Sequence, residues 1–441
     1  MTFQKFSILL AAILTAHTTL CQQSKTIESS GVDISYQTFG SGMPLLIING
    51  GPGFSSEGFV PLAKEISAMG YKTILFDQRG TGKSLMVTTD SSNVNMDLMV
   101  YDIEAIREDL NLDSWAVLGH SFGGMLGSYY TATFPERVNS LILSSSGGLD
   151  LDLLNTARDD IYARLTEIQI DSLNYWRVRR DTSKMAALKF AEIYAHAYVF
   201  DKQFVPVVAE RLTQGDLALN ALVWQDLIGM NFDCKSKLES YKNEVLIIQG
   251  REDIVPTKLA LQAKKVFANS YLALLDSSVH YPWLDQPEKF FETVDLFLKN
   301  VEQKKKDKEE IQEVLMKYIE SIYKTEPALV PVIADSSLQK SGFYFSGKKQ
   351  EWSYSDMTYG ELIHTAESYN TKKWIPQDAP KSIELIEVKE KVALAKIKAI
   401  WGFDYVLLSK EKDKWKMNKI LWQSYGALDK IDMISLMKAK N

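Results

Sequence analysis

The stretch LGHSFGG, from Leu118 to Gly124, determines how the rest of the chain is interpreted. It follows a short apolar run at 115–118 that is typical of a buried strand, and it precedes a segment at 125–130 that we interpret as a helix. Between them lies a G-x-S-x-G pattern, which predicts a turn so sharp that the serine hydroxyl is exposed at the carboxyl edge of a sheet. Glycines are needed there because the strand and helix backbones nearly touch and a Cβ would clash. Ser121 is therefore the predicted nucleophile.

The length and composition of the chain limit the classes of protein to which it can belong. At 441 residues it is too long for one ordinary domain, so roughly two to three domains are expected. A net charge of −6 gives no electrostatic reason to expect a nucleic-acid partner, which requires a clustered basic face. The two cysteines, Cys21 and Cys234, are too few for a zinc site, and we expect neither a metal nor a cofactor.

The first 22 residues (1–22) are predicted to be an export signal. Lys5 gives a positive start, and the apolar run 6–16 has the length of a signal-peptide core but is too short to span a bilayer. The sequence therefore predicts an exported protein, periplasmic or secreted, with no membrane span. In a second interpretation Cys21 is lipidated, but Leu20 before it is bulky where a small residue is usual, so a lipoprotein anchor ranks second.

A glycine-rich loop follows the strand predicted at 44–48. This run is apolar throughout, which is the mark of a strand buried on both faces, and it ends in NGGPG at 49–53. Such a loop lets backbone N–H groups approach a ligand, and beside a nucleophile elbow it supplies half of an oxyanion hole. We assign the two N–H donors to Gly51 and to Phe122, the residue after the serine. A plain tight turn is the alternative, and the loop alone does not exclude it.

Strands and helices alternate along much of the chain before residue 300, which predicts a mostly parallel, doubly wound α/β sheet. Between about 147 and 241 the apolar spacing is helical and strand-like runs are missing, so we interpret this region as a helical lid inserted between two strands. Other elements are predicted as an edge strand at 32–39, buried strands at 73–76, 138–143, 245–249 and 270–275, and helices at 98–110 and 286–298.

One histidine is placed as a catalytic base should be. His280 follows the last predicted strand of the sheet, where this architecture positions its base. The acid that orients the base should come from the loop after the strand at 245–249, where Asp253 fits and Glu252 is the second choice. The order Ser121, Asp253, His280 is the order expected for a triad on such a sheet. We expect Ser121 to attack a carbonyl, His280 to take its proton and Asp253 to orient His280.

Several separated motifs resemble α/β-hydrolases of the proline iminopeptidase type over residues 28–300. The loop at 50–53 is similar to the HGGPG loop of that group, and the segment DQRGTGKS at 77–84 is similar to its D-Q-R-G-x-G-x-S loop. The helix segment DIEAIR at 102–107 and the elbow GHSFGGML at 119–126 are similar as well. The resemblance implies an exopeptidase that acts on short peptides with a free amino terminus.

The resemblance also implies where such a substrate is held. In that family acidic lid residues bind the ammonium group of the substrate, which makes Glu192 and Asp226 candidates, although both are equally explained as solvated charges. Asn49 departs from the family pattern, since it replaces the first histidine of the HGGPG loop. A carboxylesterase or another acyl or amide hydrolase with the same triad is the second candidate. A binding protein on an inactive hydrolase scaffold is the third.

The sequence changes character after residue 300. A charge run at 304–310 opens a predicted helix, and we place the domain boundary near it, so that the last domain covers 308–441. Strands are predicted at 392–400, 405–409 and 415–422, the last two as a hairpin. A helix first and strands last predict a smaller α+β domain.

This last region, from about 308 to 430, resembles the nuclear transport factor 2-like superfamily, in particular its lumazine-binding group. The resemblance implies a curved sheet around a cone. Domains of this kind often form homodimers, and they can hold a small ligand. Four tryptophans could line such a cavity, but an ordinary aromatic core is the preferred explanation for Trp352, Trp401, Trp415 and Trp422.

Overall fold

The computed structural model describes residues 22–155, 157–376 and 378–429. The predicted signal, apart from Gln22, and with it Cys21, lies outside the described residues. The chain divides into two compact units, residues 1–297 and residues 298–441. Over its described residues the chain has no helix that is both long and apolar enough to cross a membrane.

The first unit is built on a sheet of eight strands. They are β1 (Gln23–Ser29), β2 (Val32–Phe39), β3 (Pro44–Ile48), β4 (Lys72–Phe76), β5 (Trp115–His120), β6 (Val138–Ser144), β7 (Glu244–Gly250) and β8 (Ser270–Leu275). Their order across the sheet is β1-β2-β4-β3-β5-β6-β7-β8. Strands β3 to β8 run parallel to one another, whereas β2 pairs antiparallel with both β1 and β4. The mostly parallel α/β sheet that the sequence predicts is confirmed.

The central strands are apolar along most of their length because the sheet buries them on both faces. Every residue of β5 is buried, and four of the five residues of β3 are buried. The edge strand of the sheet is not the predicted one. Strand β2 shows the alternation of an edge strand, but β1 pairs along its whole length and is itself the edge. Almost all of β1 is solvent-exposed, so no apolar pattern predicts it.

Helices connect the strands of this sheet. Those outside the insertion are α1 (Val60–Ala68), α2 (Met96–Asp109), α3 (Phe122–Thr133), α10 (Thr257–Val266) and α11 (Pro282–Asp285). Those of the insertion are α4 (Ala157–Tyr162), α5 (Glu167–Arg177), α6 (Lys184–Ala195), α7 (Val205–Leu212), α8 (Leu217–Gly229) and α9 (Lys235–Leu238). The insertion lies between β6 and β7, which is the helical lid that the sequence predicts.

Side-chain caps fix where the lid helices begin. Thr166 and Gln169 form a capping box at the start of α5, and Ser183 and Asp216 accept hydrogen bonds from the first backbone N–H groups of α6 and α8. Cys234 precedes α9 as a buried free cysteine. The lid therefore has defined helix ends, which is what allows its side chains to form one wall of a site.

Helix α12 (Pro287–Tyr323) is 37 residues long, which the sequence does not predict. A helix end near residue 298 and a new helix at the charge run 304–310 were expected, but the run lies inside α12. Neither glycine nor proline follows Pro287 within this helix, so nothing in the sequence ends it. Pairs such as Lys317–Glu313, at 2.6 Å and four residues apart, stabilise its exposed face.

The second unit contains a sheet of six strands in the order β10-β9-β14-β13-β12-β11. They are β9 (Ala334–Ser346), β10 (Glu351–Thr358), β11 (Ser382–Val388), β12 (Val392–Ala399), β13 (Gly402–Glu411) and β14 (Lys414–Ser424), and the helices α13 (Val330–Ile333) and α14 (Tyr359–Ser368) precede and interrupt them. All neighbours pair antiparallel except β14 and β9. The smaller α+β domain is confirmed, including the hairpin of β13 and β14.

The four tryptophans of this unit do not share one environment. Trp415 is buried in the core, Trp401 and Trp422 are partly buried against it, and Trp352 is 44% exposed. Trp401 donates its indole N–H to the buried carboxylate of Asp404 at 2.9 Å. Three of the four therefore belong to the core, as the preferred explanation has it.

Candidate active site

Ser121 lies in a turn between β5 and α3 that requires a strained backbone. Its φ and ψ angles are 56° and −122°, outside the regions that L-residues favour. The Ser121 amide donates to the Ser144 carbonyl at 3.1 Å, and the Ser121 carbonyl accepts from the amides of Gly124 and Gly147 at 2.9 and 3.0 Å. These three hydrogen bonds hold the turn in the strand-to-helix form that G-x-S-x-G predicts.

The glycines of the turn have no room for a side chain. A Cβ at Gly119 would overlap the backbone of Gly123, and a Cβ at Gly123 would overlap the carbonyl oxygen of Ile48. A Cβ at Gly124 would meet the side chain of Ser146. Since two of the three obstacles are backbone atoms, no change of rotamer relieves the overlap. The steric reason given for these glycines from sequence is thus visible in the packing.

Gly51 and Phe122, the residues assigned to the oxyanion hole, line the same cavity as Ser121. Phe122 is the first residue of α3, so its N–H has no acceptor within the helix. Gly51 has a positive φ of 71°, and its carbonyl closes the loop by accepting from Phe54 at 3.2 Å. Within the described residues no hydrogen bond uses either amide. Both N–H groups can therefore bind an oxygen of a ligand.

His280 and Asp253 form a buried pair at the ends of β8 and β7. The distance between His280 Nδ1 and Asp253 Oδ1 is 2.9 Å, and their side chains are 5% and 0% exposed. A carboxylate can only accept, so Nδ1 donates and Nε2 remains as the basic nitrogen. Gln249 and the Val255 amide also donate to Asp253, at 2.8 and 3.0 Å, which fixes the carboxylate. The structure brings Asp253 to His280.

The second choice for the acid lies elsewhere. The Glu252 carboxylate accepts from the amide of Ser278 at 3.2 Å, whereas the carboxylate hydrogen-bonded to the imidazole of His280 is that of Asp253. His280 itself lines the cavity together with Ser121. Ser121 and His280 thus line one cavity, and Asp253 is hydrogen-bonded to His280 without being part of that lining.

His120, inside the elbow, is a neutral neighbour of His280. Their ring centroids are 4.7 Å apart, and His120 Nδ1 lies 3.1 Å from the carbonyl of Ser144. Burial holds the pKa of His120 well below its ordinary value, and the nearby His280 and Arg211 lower it further. An uncharged His120 does not oppose the positive charge that His280 acquires when it takes a proton.

Two side chains, those of Asn49 and Arg211, hold the glycine-rich loop by donating hydrogen bonds to its backbone carbonyls. Asn49 Nδ2 donates to the carbonyls of Gly50 and Phe54 at 3.3 and 3.1 Å, and lies 3.5 Å from that of Ser55. Arg211 of the lid donates to the carbonyls of Gly50 and Ser55 at 3.0 and 3.1 Å. Asn49, the departure from the family pattern, therefore holds the loop through its own side-chain amide.

The loop after β4 is held by buried carboxylates. Arg79 donates two hydrogen bonds to Asp102, at 2.8 and 2.6 Å, with both side chains almost fully buried. Asp77 accepts from the amides of Ser56 and Lys83, each at 2.8 Å. These bonds connect the loop 77–84 with the loop that carries Gly51, so their role is to position the site rather than to touch a substrate.

A cavity of about 610 Å³ lies over Ser121, between the loops of the sheet edge and the lid. Most of the side chains around it are apolar or aromatic, which is usual for a small-molecule site. Its charged lining residues are Arg177, Arg180, Asp181 and Arg211. Its aromatic lining residues include Phe54, Tyr162, Phe190, Tyr194, Tyr198, Trp224 and Tyr281.

The two acids proposed for the substrate ammonium group lie outside this lining. Glu192 forms an ion pair with Lys189 at 2.8 Å, and its side chain is 38% exposed. Asp226 accepts from the amide of Met96 at 2.8 Å, at the first residue of α2. Each of the two carboxylates thus has a partner outside the cavity. The acid that does line the cavity is Asp181.

The arginines of the cavity are the residues that sequence reasoning missed. Arg177 ends α5, Arg180 follows it, and Arg211 lies on α7. No motif surrounds them, and in the sequence they are ordinary charges of amphipathic helices. Only the folding of the lid over the sheet edge shows that they share a cavity with Ser121.

Comparison with known proteins agrees with this architecture. A family model described as alpha/beta hydrolase fold matches residues 43–286, more than half of the chain. The chain belongs to the α/β-hydrolase fold family. A second model, described as "Putative lumazine-binding", matches residues 306–423. The nuclear transport factor 2-like domain predicted to follow the α/β-hydrolase unit along the chain is therefore confirmed.

This α/β-hydrolase is similar in sequence to a proline iminopeptidase, and it shares its fold with solved structures of a peptidase and an esterase. The proline iminopeptidase of Heyndrickxia coagulans is 27% identical over 289 residues, which cover 62% of this chain and 98% of that protein. The crystal structure of a Mycobacterium smegmatis proline iminopeptidase superposes with a TM-score of 0.50 and 21% identity, covering 63% and 98% of the two chains. The structure of a thermophilic esterase from Thermogutta terrifontis superposes with a TM-score of 0.51 and 18% identity, and the match covers 63% of this chain and 99% of the esterase. The structures show the fold, and the relatives together support a hydrolase.

Proposed function

We propose that this α/β-hydrolase is a serine hydrolase that removes the amino-terminal residue from short peptides, as proline iminopeptidases do. The observation that carries the serine chemistry is the buried His280–Asp253 pair, at 2.9 Å, whose histidine lines the same cavity as Ser121. The similarity to the Heyndrickxia coagulans proline iminopeptidase supports the peptide substrate.

The proposed reaction follows from the positions of these groups. Ser121 Oγ attacks the carbonyl carbon of the substrate while His280 Nε2 takes the hydroxyl proton. The amides of Gly51 and Phe122 stabilise the oxyanion, and His280 returns the proton to the leaving amine. Asp253 keeps the proton-bearing Nδ1 of His280 in place. Water then releases the acyl group by the same steps.

A carboxylesterase is the second candidate, and one observation favours it. The lid acids proposed for an ammonium group, Glu192 and Asp226, lie outside the cavity, whose lining holds three arginines and the single acid Asp181 over its described part. A neutral or anionic ester needs no carboxylate partner in the lid. The triad and oxyanion donors serve both reactions equally.

Export is also part of the proposal. The segment 1–22 supports it through Lys5 and the apolar run 6–16. Amino-terminal sequencing of the protein recovered outside the cytoplasm should show a start at or just before Gln23, whereas a lipidated Cys21 at the amino terminus would favour the lipoprotein alternative.

The serine chemistry is tested with Ser121→Ala. Because acyl-enzyme formation requires the hydroxyl, kcat should fall on the order of a million-fold. The protein and its variant are assayed on prolyl and other aminoacyl anilides and on a short acyl ester, and circular dichroism checks the fold.

Three results separate the candidates. Serine-dependent anilide cleavage that is lost when the substrate amine is blocked supports the aminopeptidase. Cleavage of the ester alone supports the esterase. Substantial activity in the folded Ser121→Ala variant would remove Ser121 from its role.

A further inference from the structure

The cavity over Ser121 is cationic. Its described lining contains Arg177, Arg180 and Arg211 against the single acid Asp181. His120, also in the lining, is kept neutral by burial. A substrate that enters this cavity therefore meets more positive than negative groups, and the surrounding apolar walls strengthen such interactions because they exclude water.

Arg180 has no partner that neutralises it inside the cavity. Its Nε is buried and has no hydrogen-bond partner, and its guanidinium carbon lies 5.3 Å from the ring centroid of Phe190. The Asp181 carboxylate is 3.8 Å from Nε, too far for a hydrogen bond, and its side chain is 84% exposed. Water solvates that carboxylate, so its attraction for Arg180 is weak. The Arg180 donors remain open to a ligand.

Arg177 lies on the same side of the cavity, one short turn before Arg180. Its Nη1 is 3.5 Å from the hydroxyl of Tyr162, which is at the limit of a hydrogen bond. Over the described part of the chain no carboxylate lies within ion-pair distance of Arg177. The last residue of α5 and the segment that follows this helix thus bring two arginines to the lining of one cavity.

We propose that Arg177 and Arg180 bind a carboxylate of the substrate. The inference rests on the proposed serine hydrolase, because it names a group of the molecule that Ser121 attacks. A planar guanidinium matches a carboxylate in geometry and charge, and a partly dry cavity makes the pair stronger than a surface ion pair. An ammonium group at the same place would be repelled.

A carboxylate can reach this site from either side of the bond that is cleaved. It can be the free carboxyl terminus of a short peptide, on the leaving-group side. It can also end the acyl chain of a dicarboxylic monoester or monoamide, on the acyl side. The shared chemistry is one carboxylate at a fixed distance from the scissile carbonyl, and two pairs of substrates distinguish the sources.

The experiment compares substrates that differ only in this charge. The acyl-side pair is p-nitrophenyl hydrogen glutarate and p-nitrophenyl pentanoate, which have acyl chains of equal length. The leaving-group pair is a prolyl dipeptide as its free acid and as its carboxy-terminal amide. We expect the wild-type protein to favour the carboxylate member of one pair by about 10- to 100-fold in kcat/KM. High salt should reduce that preference.

The variant is Arg177→Gln with Arg180→Gln, and its matched control is Arg179→Gln. Arg179 belongs to the same segment, but its guanidinium stacks on Tyr175 at 3.8 Å and donates to the Tyr175 carbonyl, outside the cavity lining. The double variant should lose the preference, because its kcat/KM falls far more on the carboxylate member than on the neutral one. The control should keep the preference.

The outcomes separate this inference from the proposed function. Cleavage of the neutral members without any carboxylate preference, or a preference that survives in the double variant, overturns the carboxylate site and leaves the serine hydrolase standing. Absence of Ser121-dependent cleavage of every substrate overturns the proposed function and the inference with it. The pair that shows the preference identifies the side of the bond on which the carboxylate lies.

Discussion

Arg211 connects the lid to the loop that carries Gly51. It is only 6% exposed, and its guanidinium donates to the carbonyls of Gly50 and Ser55 while its carbon lies 4.7 Å from the ring centroid of Phe59. Burial lowers the pKa of this guanidinium from its ordinary value. Carbonyl oxygens and an aromatic face replace a carboxylate partner, so the charge of Arg211 stays available to the active site.

Replacing Arg211 by methionine should lower kcat more than it raises KM. The loop would lose the donors at Gly50 and Ser55, and the Gly51 amide would be less well placed for the oxyanion. Since removal of a direct oxyanion donor costs about 100- to 1,000-fold, we expect about 10- to 100-fold for this indirect effect. Steady-state kinetics on the ester or anilide that the protein cleaves measure it.

The matched control for this variant is Arg179→Met. Arg179 is a lid arginine that donates to the Tyr175 carbonyl at 2.7 Å and does not line the cavity. It should leave kcat within a few-fold of wild type, and Arg211→Lys, which can reach one carbonyl, should recover part of the loss. Unchanged kcat in Arg211→Met would mean that Asn49 alone positions the loop.

Among single residues, the sequence predicted those that lie in the loops after the strands of the sheet. Ser121 comes directly after β5, and Asp253 and His280 lie in the loops that follow β7 and β8, so the order of the strands was sufficient to propose them. Arg211 could not be found, because its contacts are to backbone carbonyls about 160 residues earlier in the chain. Hydrogen bonds to main-chain atoms leave no pattern in residue types.

Among the elements, the junction of β5 and α3 tolerates the least change. Gly123→Ala would place a methyl group on the carbonyl oxygen of Ile48 in β3, so either the strand or the helix must move. Overpacking typically costs about 1–3 kcal/mol, and a backbone obstacle puts this variant at or above the upper end. Urea unfolding measures the loss, and activity should fall with it because the helix carries Phe122.

Gly127→Ala is the matched control in the same helix. The nearest atom to its Cβ would be a methyl carbon of Val117 at 3.4 Å, an ordinary contact. Alanine is favoured over glycine in a helix interior by about 1 kcal/mol, so this variant should be neutral or more stable. Equal stability of the two variants would show that the close approach of β3 and α3 is less rigid than described.

The strands that were predicted carry an apolar run or a clear alternation. The bounds of the buried strands β3, β4, β5, β6 and β7 in the structure are close to the predicted ones. Strands β1, β10 and β11 were missed because at most one residue of each is buried, and β9 was missed because serines and a glycine interrupt its apolar residues. The charge run of α12 was misinterpreted because charges also suit the exposed face of one long helix.

At the scale of the whole molecule, the second unit presents to solvent a sheet face that gathers exposed apolar side chains among lysines. Cross-strand pairing of β12, β13, β14, β9 and β10 puts alternate residues on this face, opposite the buried Val406 and Ile420. Its exposed apolar members are Tyr405 and Leu407 of β13, Leu421 of β14, Phe343 of β9 and Tyr354 of β10, and the same pairing places Lys396, Lys398 and Lys419 beside them. Several exposed apolar side chains on one face can mark an interface, unlike single ones that are scattered over the surface.

We propose that this face pairs with the same face of a second copy. Tyr405→Lys together with Leu421→Lys should then convert a dimer into a monomer, because like charges meet across the two-fold axis. Light scattering coupled to size exclusion measures the mass. Val87→Lys, at a fully exposed valine of the first unit, is the control and should leave the dimer intact. A wild-type protein that is monomeric at high concentration would exclude this interface.

Cys234 is a natural reporter of any opening of the structure around its buried side chain. The chain contains one other cysteine, Cys21, which falls in the predicted signal. The Cys234 side chain is 1% exposed, its Sγ lies 3.3 Å from the Leu149 carbonyl, and burial raises the pKa of the thiol to about 12. A thiol reagent should therefore label Cys234 only when the packing between the start of α9 and the Leu149 carbonyl opens. The labelling rate, followed with and without substrate, would time that motion without any engineered probe.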